Sequence, residues 1–156
     1  MEIFKKLASS LLVVTFFLAG STSRCMQQGE TSTVLCNITS HGGHTTFKGF
    51  DNGAAHLIDG KTGHIFFLKG HTGRINLGTF SPDGKLLLTA GSEDTIARLW
   101  NVKTGKQLEF FNHPGFIVSL AFNYYGQIIF ITVDDGKIYF WCAETGEFLG
   151  IKQKAL

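Results

Sequence analysis

Histidine and aspartate recur in this sequence in a way that could support acid–base chemistry. His71 is followed by Asp94, and His113 is followed by Asp135. An imidazole held by a carboxylate can activate a hydroxyl nucleophile, which is the arrangement of many hydrolases. Here the histidines recur 42 residues apart and the aspartates 41 residues apart, as a repeat would place them, and no serine follows at a strained strand-to-helix turn. We therefore predict a structural role for both pairs and no enzymatic activity.

Four other histidines could bind a metal ion. His41 and His44 are separated by two glycines, and His56 and His64 follow nearby. Zinc sites use three or four protein ligands with orienting partners, whereas this turn offers two ligands in a place that we expect to be solvated. We predict no metal and no cofactor. A ligand-binding, metal-binding or hydrolytic site near His41 and His44 is the alternative function.

The elements that position these residues form a repeat. The dipeptide Thr-Gly occurs at residues 62–63, 104–105 and 145–146, which are steps of 42 and 41. Periods of about 40–45 residues are typical of propeller blades. We place three copies approximately at residues 29–70, 71–112 and 113–156.

Each copy contains four short apolar runs between turn signals, which predicts four antiparallel strands. In the second copy the expected strands are residues 75–80, 86–90, 96–101 and 107–111. In the third they are 117–122, 128–132, 137–142 and 148–151, and in the first 33–38, 45–50, 54–59 and 64–68. Ser81-Pro-Asp-Gly84 is a turn in which proline presets one φ and glycine accepts a positive φ. The fold class is therefore all-β, with about three four-stranded antiparallel blades forming an incomplete propeller.

The second copy resembles the WD-repeat family of β-propellers. The resemblance rests on Gly70-His71, on Phe80-Ser-Pro-Asp-Gly84 and on the segment from Ser92 to Asn101, and it covers about residues 69–150. It implies a buried hydrogen-bonded network in each blade. The residues assigned to that network are His71, Asp94 and Trp100 in the second copy and His113, Asp135 and Trp141 in the third.

The family's network also contains a strand serine or threonine, and this sequence departs from that pattern. The expected position holds Ala90, with Thr89 and Ser92 nearby but out of phase, and the third copy has Ile131 there. In the first copy Asn52 replaces the aspartate and Ile58 replaces the tryptophan.

The resemblance implies a protein-interaction module or scaffold that binds protein partners through one end of its blades. The corresponding positions are Arg74, Asn76, Glu93, Phe116, Val118 and Asp134. Tyr124 and Tyr125 replace Pro-Asp in a turn, so we expect both rings to be exposed and available for a partner. The net charge of +2 is spread without basic runs, so we expect no nucleic-acid partner.

Three blades are fewer than the four to eight of closed propellers. The third copy would then leave an apolar face uncovered around Ile129, Ile131 and Phe140, so we expect self-association, with two chains closing one ring head to tail. The alternative is a truncated remnant of a longer WD-repeat protein.

The first residues have the pattern of a signal peptide. Lys5 and Lys6 precede the apolar run Leu7–Ala19, which is shorter than the roughly 20 residues of a membrane-spanning helix. We predict a signal peptide over residues 1–21, a linker over 22–28 and the repeat domain over 29–156. The product is expected to be periplasmic or secreted, without a transmembrane anchor. Lipid anchoring is disfavoured because Ser21 stands where a lipoprotein box has cysteine.

In an oxidising compartment the cysteines can form a disulfide. Cys25 and Cys36 are the closest pair in sequence, which would leave Cys142 free. The alternative is that all three thiols are unpaired, because spacing alone does not give the pairing.

Overall fold

The computed structural model describes residues 32–91 and 94–153, which lie in one compact unit, Thr31–Leu156. The first sheet contains β1 (Val34–Thr39), β2 (Thr45–Phe50), β3 (Ala55–Asp59) and β4 (Ile65–Phe67). The second contains β5 (Ile75–Phe80), β6 (Leu86–Gly91), β7 (Ile96–Asn101) and β8 (Gln107–Asn112). The third contains β9 (Ile117–Phe122), β10 (Ile128–Val133), β11 (Lys137–Cys142) and β12 (Phe148–Gln153). No helix within the described ranges is long and apolar enough to cross a bilayer.

Each sheet is an antiparallel meander in which neighbouring strands follow one another along the chain. The predicted fold class, with three four-stranded blades, is confirmed, and the strand bounds differ mainly at β4 and β12. The turn between β5 and β6 closes as expected, because the Gly84 amide donates to the Ser81 carbonyl at 2.9 Å and Gly84 has a φ of 70°. A left-handed φ of this kind carries no steric cost for glycine.

The inner strands β1, β5 and β9 lie side by side, so the three blades follow one another around an arc. Two apolar cores fill the spaces between consecutive blades. The core between the first and second blades includes Phe47, Leu57, Ile75, Leu87 and Trp100. The core between the second and third includes Leu88, Leu99, Ile117, Ile129, Ile131 and Tyr139. The three sheets do not close into a ring.

In each blade, one cross-strand pair of side chains lies at the centre of the face that is directed to the following blade. The pair is Phe47–Leu57 in the first blade and Leu88–Leu99 in the second, and all four side chains are fully buried. The equivalent pair in the third blade is Phe130–Phe140, whose rings meet edge to face at 5.3 Å. These two rings are only partly buried, because no described blade follows to cover them.

The sequence prediction for this uncovered face was wrong in two of its three residues. Ile129 and Ile131 are 0% exposed and lie in the core between the second and third blades. Side chains alternate between the two faces of a strand, so Phe130 lies on the opposite face from both isoleucines. The uncovered face of the third blade is therefore built around Phe130 and Phe140.

The first blade has a more polar face on the side that no other described strand covers. Its cross-strand pairs there are Thr46–Ile58 and Lys48–His56. At the same register the third blade has Ile129–Trp141 and Ile131–Tyr139, which contribute to a core. The two ends of the arc therefore differ in chemistry, with an apolar face at one end and a mixed polar face at the other.

Candidate functional site

Four side chains form a buried hydrogen-bonded cluster in the second blade. His71 Nδ1 lies 2.7 Å from Asp94 Oδ2, and His71 Nε2 lies 2.8 Å from Thr89 Oγ1. Trp100 donates its indole N–H to the same Thr89 oxygen at 2.8 Å. The His71 side chain is 1% exposed, and Thr89 and Trp100 are buried as well. The cluster ties the link before β5 to strands β6 and β7 and to the turn between them.

The donors and acceptors of this cluster fit a neutral imidazole. An indole only donates, so the Thr89 oxygen accepts from Trp100. With a neutral imidazole, the Thr89 hydroxyl donates its own hydrogen to His71 Nε2. His71 Nδ1 then carries the hydrogen that is donated to the Asp94 carboxylate. Burial lowers the pKa of His71, although hydrogen bonding and attraction to Asp94 act in the opposite direction. A neutral His71 satisfies every partner in the cluster.

The cluster has the geometry of a structural tie and offers no free base. Both nitrogens of the His71 ring are occupied, and the ring is closed off from solvent. A general base must reach a proton on a substrate or nucleophile. Among the described residues, the hydroxyl that bonds to the His71 ring is that of Thr89, which is buried and also bonded to Trp100.

Sequence reasoning missed Thr89 because of the length of one turn. The hydroxyl position was expected four residues before the aspartate, at Ala90, but Thr89 lies five residues before Asp94. Six residues separate the paired Ala90 and Ala97, whereas five separate Thr132 and Ile138 in the third blade. The extra residue moves the aspartate by one position relative to the strand. Counting back from Trp100 would have identified Thr89. Trp100 pairs with Leu87 across the strands, and Thr89 is two residues after Leu87 on the same strand face.

In the third blade the expected network is incomplete. Trp141 donates its indole N–H to His113 Nε2 at 3.3 Å, so His113 carries its hydrogen on Nδ1. Within the described residues, Nδ1 has no hydrogen-bond partner although the residue is buried. Burial is the largest influence on the pKa of His113 and lowers it.

Asp135 does not join this network, which corrects the prediction. Its carboxylate accepts from the Lys137 backbone amide at 2.9 Å and pairs with the Lys137 ammonium. Ile131 occupies the position of Thr89, so there is no hydroxyl to bridge histidine and tryptophan. The shorter turn and the neighbouring lysine together leave Asp135 in solvent, where its pKa is lowered by Lys137.

Of the features described for the second blade, the first blade has only the hydrogen bond within the turn between its second and third strands. Asn52 accepts a hydrogen bond from the Ala54 amide at 3.0 Å, as Asp94 does from Ile96 at 3.3 Å, and Ile58 stands in the place of Trp100. Among the described residues, no three His, Cys, Asp or Glu side chains are grouped so that they could hold a metal ion. The structure therefore does not bring His41 and His44 together with a third ligand.

Two of the predicted contact residues, Asn76 and Val118, lie at an irregularity that recurs in the inner strands. Each inner strand has a β-bulge where it pairs with the next strand, and the extra residue is Leu35, Asn76 or Val118. All three are exposed, with Val118 at 53%. Bulges redirect a side chain out of the regular ladder. The three blades therefore present one exposed side chain each at the same position.

The other predicted contacts lie close to these bulges, with one exception that the structure does not describe. Arg74, Phe116 and Asp134 are exposed, and the Asp134 amide donates to the Phe116 carbonyl at 2.9 Å. Glu93 lies outside the described residues. Tyr124 and Tyr125 are 84% and 76% exposed and stack edge to face at 5.2 Å, in the turn between β9 and β10 at the opposite end of the blade.

Three comparisons with known proteins fit this geometry. Successive four-stranded blades with a buried His–Asp–Thr–Trp cluster define a repeat protein of the propeller class. The family described as "WD domain, G-beta repeat" matches residues 62–101 and 105–142. The chain therefore belongs to the WD40 repeat family. Each match begins before the outer strand of one blade and ends with the third strand of the next.

Individual relatives share only part of their length with this chain. A coronin-like protein of Saccharomyces cerevisiae is 32% identical over 77 residues, which is 49% of this chain and 12% of the relative. A guanine nucleotide-binding protein subunit beta of Nicotiana tabacum is 36% identical over 78 residues, or 46% of this chain and 20% of the relative. The RRP9 WD40 repeats superpose with a TM-score of 0.71 at 16% identity, over 81% of this chain and 40% of theirs.

Proposed function

We propose that this protein is a non-catalytic interaction module that binds a protein partner through the bulge residues of its inner strands and their neighbours. The observation that carries the proposal is the repeated exposure of Leu35, Asn76 and Val118, with Phe116 beside them. Exposed aromatic and branched side chains that are held on rigid strands lose little conformational freedom on binding. The tobacco relative, named as a subunit, supports a role within an assembly.

The absence of catalysis is part of the proposal. It is supported by the occupied nitrogens of His71 and by the exposure of Asp135 to solvent, since neither pair leaves a base poised beside a nucleophile. A hydrolytic or metal-dependent role near His41 would need ligands or a nucleophile beyond those that the described residues bring together.

Replacing two of the exposed apolar side chains should reduce partner binding. We expect the double variant Phe116→Asp, Val118→Asp to retain its fold, because both side chains are about half exposed. Loss of partner affinity should be about tenfold or more, which corresponds to roughly 1.4 kcal/mol. The measurement is quantitative mass spectrometry of proteins cross-linked to the wild type and to each variant in the producing cells.

A matched control lies on the outer strand of the second blade. Leu108 and Phe110 are 46% and 52% exposed, so Leu108→Asp, Phe110→Asp changes the same charge and a similar apolar area elsewhere. Partners that bind through the bulge surface should stay with this control. Equal recovery of the partners with both double variants would contradict the proposed surface.

Export from the cytoplasm is a further part of the proposal. It rests on Lys5, Lys6 and the apolar run Leu7–Ala19, which lie outside the described residues. Cys25 lies there too, so its pairing with the buried Cys36 stays a prediction.

The intact mass of the exported protein tests this part. We expect a chain that begins between residues 20 and 25 and carries no diacylglycerol, because Ser21 lacks the thiol that would be lipidated. Ser21→Cys should create a lipidated form. A chain that still begins at Met1, or lipid on Cys25, would show that the export proposal is wrong.

Self-association is the last part of the proposal, and the chemistry of the end faces indicates its form. Head-to-tail closure would place Phe130 and Phe140 against a face that carries Lys48 and His56. Burying an ammonium group without an acidic partner costs desolvation energy, and attraction of the cation to the aromatic rings offsets only part of that cost. We therefore propose that two copies meet through their third blades, in an isologous contact that pairs apolar with apolar surface.

A further inference from the structure

A basic cleft lies between the first and second blades, at the end opposite the bulge residues. It has a volume of about 600 Å³ and lies between the turns that join β3 to β4 and β7 to β8. Its rim carries three lysines and two histidines against one carboxylate. These rim residues are Lys61, Lys85, Lys103, His44, His64 and Asp59.

The single carboxylate on the rim attracts Lys61, but it carries one negative charge against three lysines. Asp59 Oδ1 accepts from the backbone amides of Lys61 and Thr62 at 2.8 and 3.3 Å, so it is held within its own turn. Lys85 pairs with Asp83 at 3.1 Å in a surface ion pair. Within the described residues, Lys61 and Lys103 form no such pair, and both are exposed.

The floor of the cleft is apolar. Phe66 and Val102 are half-buried and pack on the core between the first and second blades. Phe66 covers Gly105 so closely that a Cβ there would lie 2.6 Å from the ring. His64 stacks edge to face on Phe66 at 4.4 Å. An apolar floor inside a cationic rim suits a ligand that carries an apolar side chain between negative charges.

The equivalent turns of the third blade provide an internal comparison. Glu144 stands in the third blade where Lys61 and Lys103 stand in the Thr-Gly turns of the first two, and Gln127 stands where Lys85 stands. The blades share their fold, so the positive charge of the first cleft is a property of its side chains and is not required by the architecture.

We propose that this cleft binds an acidic peptide segment of a protein partner, with an apolar residue seated on Phe66 between carboxylates held by Lys61 and Lys103. Charge complementarity selects the acidic ligand, and the apolar floor selects a peptide over a simple anion. The cleft is separate from the bulge residues, so this inference does not rest on the proposed function.

The test uses fluorescence anisotropy with a fluorescein-labelled peptide that has glutamates on both sides of a central leucine. We expect binding that weakens with rising salt, because exposed charges are screened. The same peptide with glutamines should bind at least about tenfold more weakly, and replacement of its leucine by serine should weaken binding several-fold, as the loss of apolar burial requires.

The protein variants locate the binding site. The double variant Lys61→Glu, Lys103→Glu gives both turns the glutamate that the third blade has at position 144, so the fold should be retained. Its affinity for the peptide should fall about tenfold or more. Lys69→Glu, Lys152→Glu changes two exposed lysines that do not line the cleft, so it is the matched control for net charge and should change affinity less than about twofold. Equal binding of the glutamine peptide, or unchanged affinity of the double variant, would overturn the proposal. Stronger binding of a single-stranded RNA decamer that the same double variant abolishes would overturn it in favour of nucleic acid.

Discussion

Trp100→Ala is expected to lower the free energy of unfolding by about 3–5 kcal/mol, the range for large-to-small changes at buried aromatic positions. Trp100 is 2% exposed and belongs to the core between the first and second blades. It also donates the hydrogen bond that completes the cluster with Thr89 and His71. The substitution therefore removes packing between two blades and a hydrogen bond within one of them. Urea denaturation followed by circular dichroism measures the loss.

Two smaller changes separate packing from hydrogen bonding. Thr89→Val keeps the shape of the side chain but removes the hydroxyl, and should cost about 1–3 kcal/mol by leaving Trp100 and His71 without a buried partner. His71→Ala should cost a similar amount, because Asp94 loses its partner. Lys85→Ala is the control and should change stability by less than about 0.5 kcal/mol, since its side chain is 80% exposed. Small and equal losses at all four positions would contradict the cluster.

The fold was predictable from the sequence because short-range signals agree with one another. The Thr-Gly turns, the apolar runs and Ser81-Pro-Asp-Gly84 each indicate the same strand boundaries, and every predicted strand is present. β12 continues to Gln153, two residues beyond its predicted end, because its polar residues still pair with β11. Apolar runs in the sequence do not predict strand pairing by polar residues.

The site was less predictable because it depends on side-chain direction and on turn length. His71, Asp94 and Trp100 meet as the spacing suggests, but one extra turn residue hides Thr89 from a count that starts at the aspartate. For Asp135 the sequence pattern is right and the partner is different, since Lys137 lies two residues away and competes for the carboxylate. Sequence spacing does not state which of two neighbours an exposed carboxylate pairs with.

The uncovered faces show the same limit. Alternation along β10 assigns Ile129 and Ile131 to one face and Phe130 to the other, but the sequence does not say which face points to the preceding blade. Phe130 pairs with Phe140 at the register where Leu88 pairs with Leu99 in the second blade. This equivalence shows that Phe130 lies on the face directed away from the preceding blade.

Phe140→Glu is expected to convert a dimer of this protein into a monomer. In the second blade the equivalent pair Leu88–Leu99 is fully buried, whereas Phe130 and Phe140 keep part of their surface exposed. Both rings are already partly buried, so association removes from water only the apolar surface that remains exposed, at about 25 cal/mol per Å². A carboxylate placed among them would have to be desolvated without a partner. Light scattering at micromolar concentration measures the change in mass.

Lys48→Glu on the uncovered face of the first blade distinguishes the two geometries of association. If third blades meet each other, Lys48→Glu leaves the dimer intact, whereas head-to-tail closure predicts that it changes the dimer as much as Phe140→Glu does. Phe130→Ser is a milder change on the same face and should also weaken the dimer. It replaces Phe140→Glu in the test if that variant does not fold. A wild-type monomer that melts cooperatively and binds no hydrophobic dye would rule out association through either face. Such a result would show that the exposed surface of Phe130 and Phe140 needs no partner.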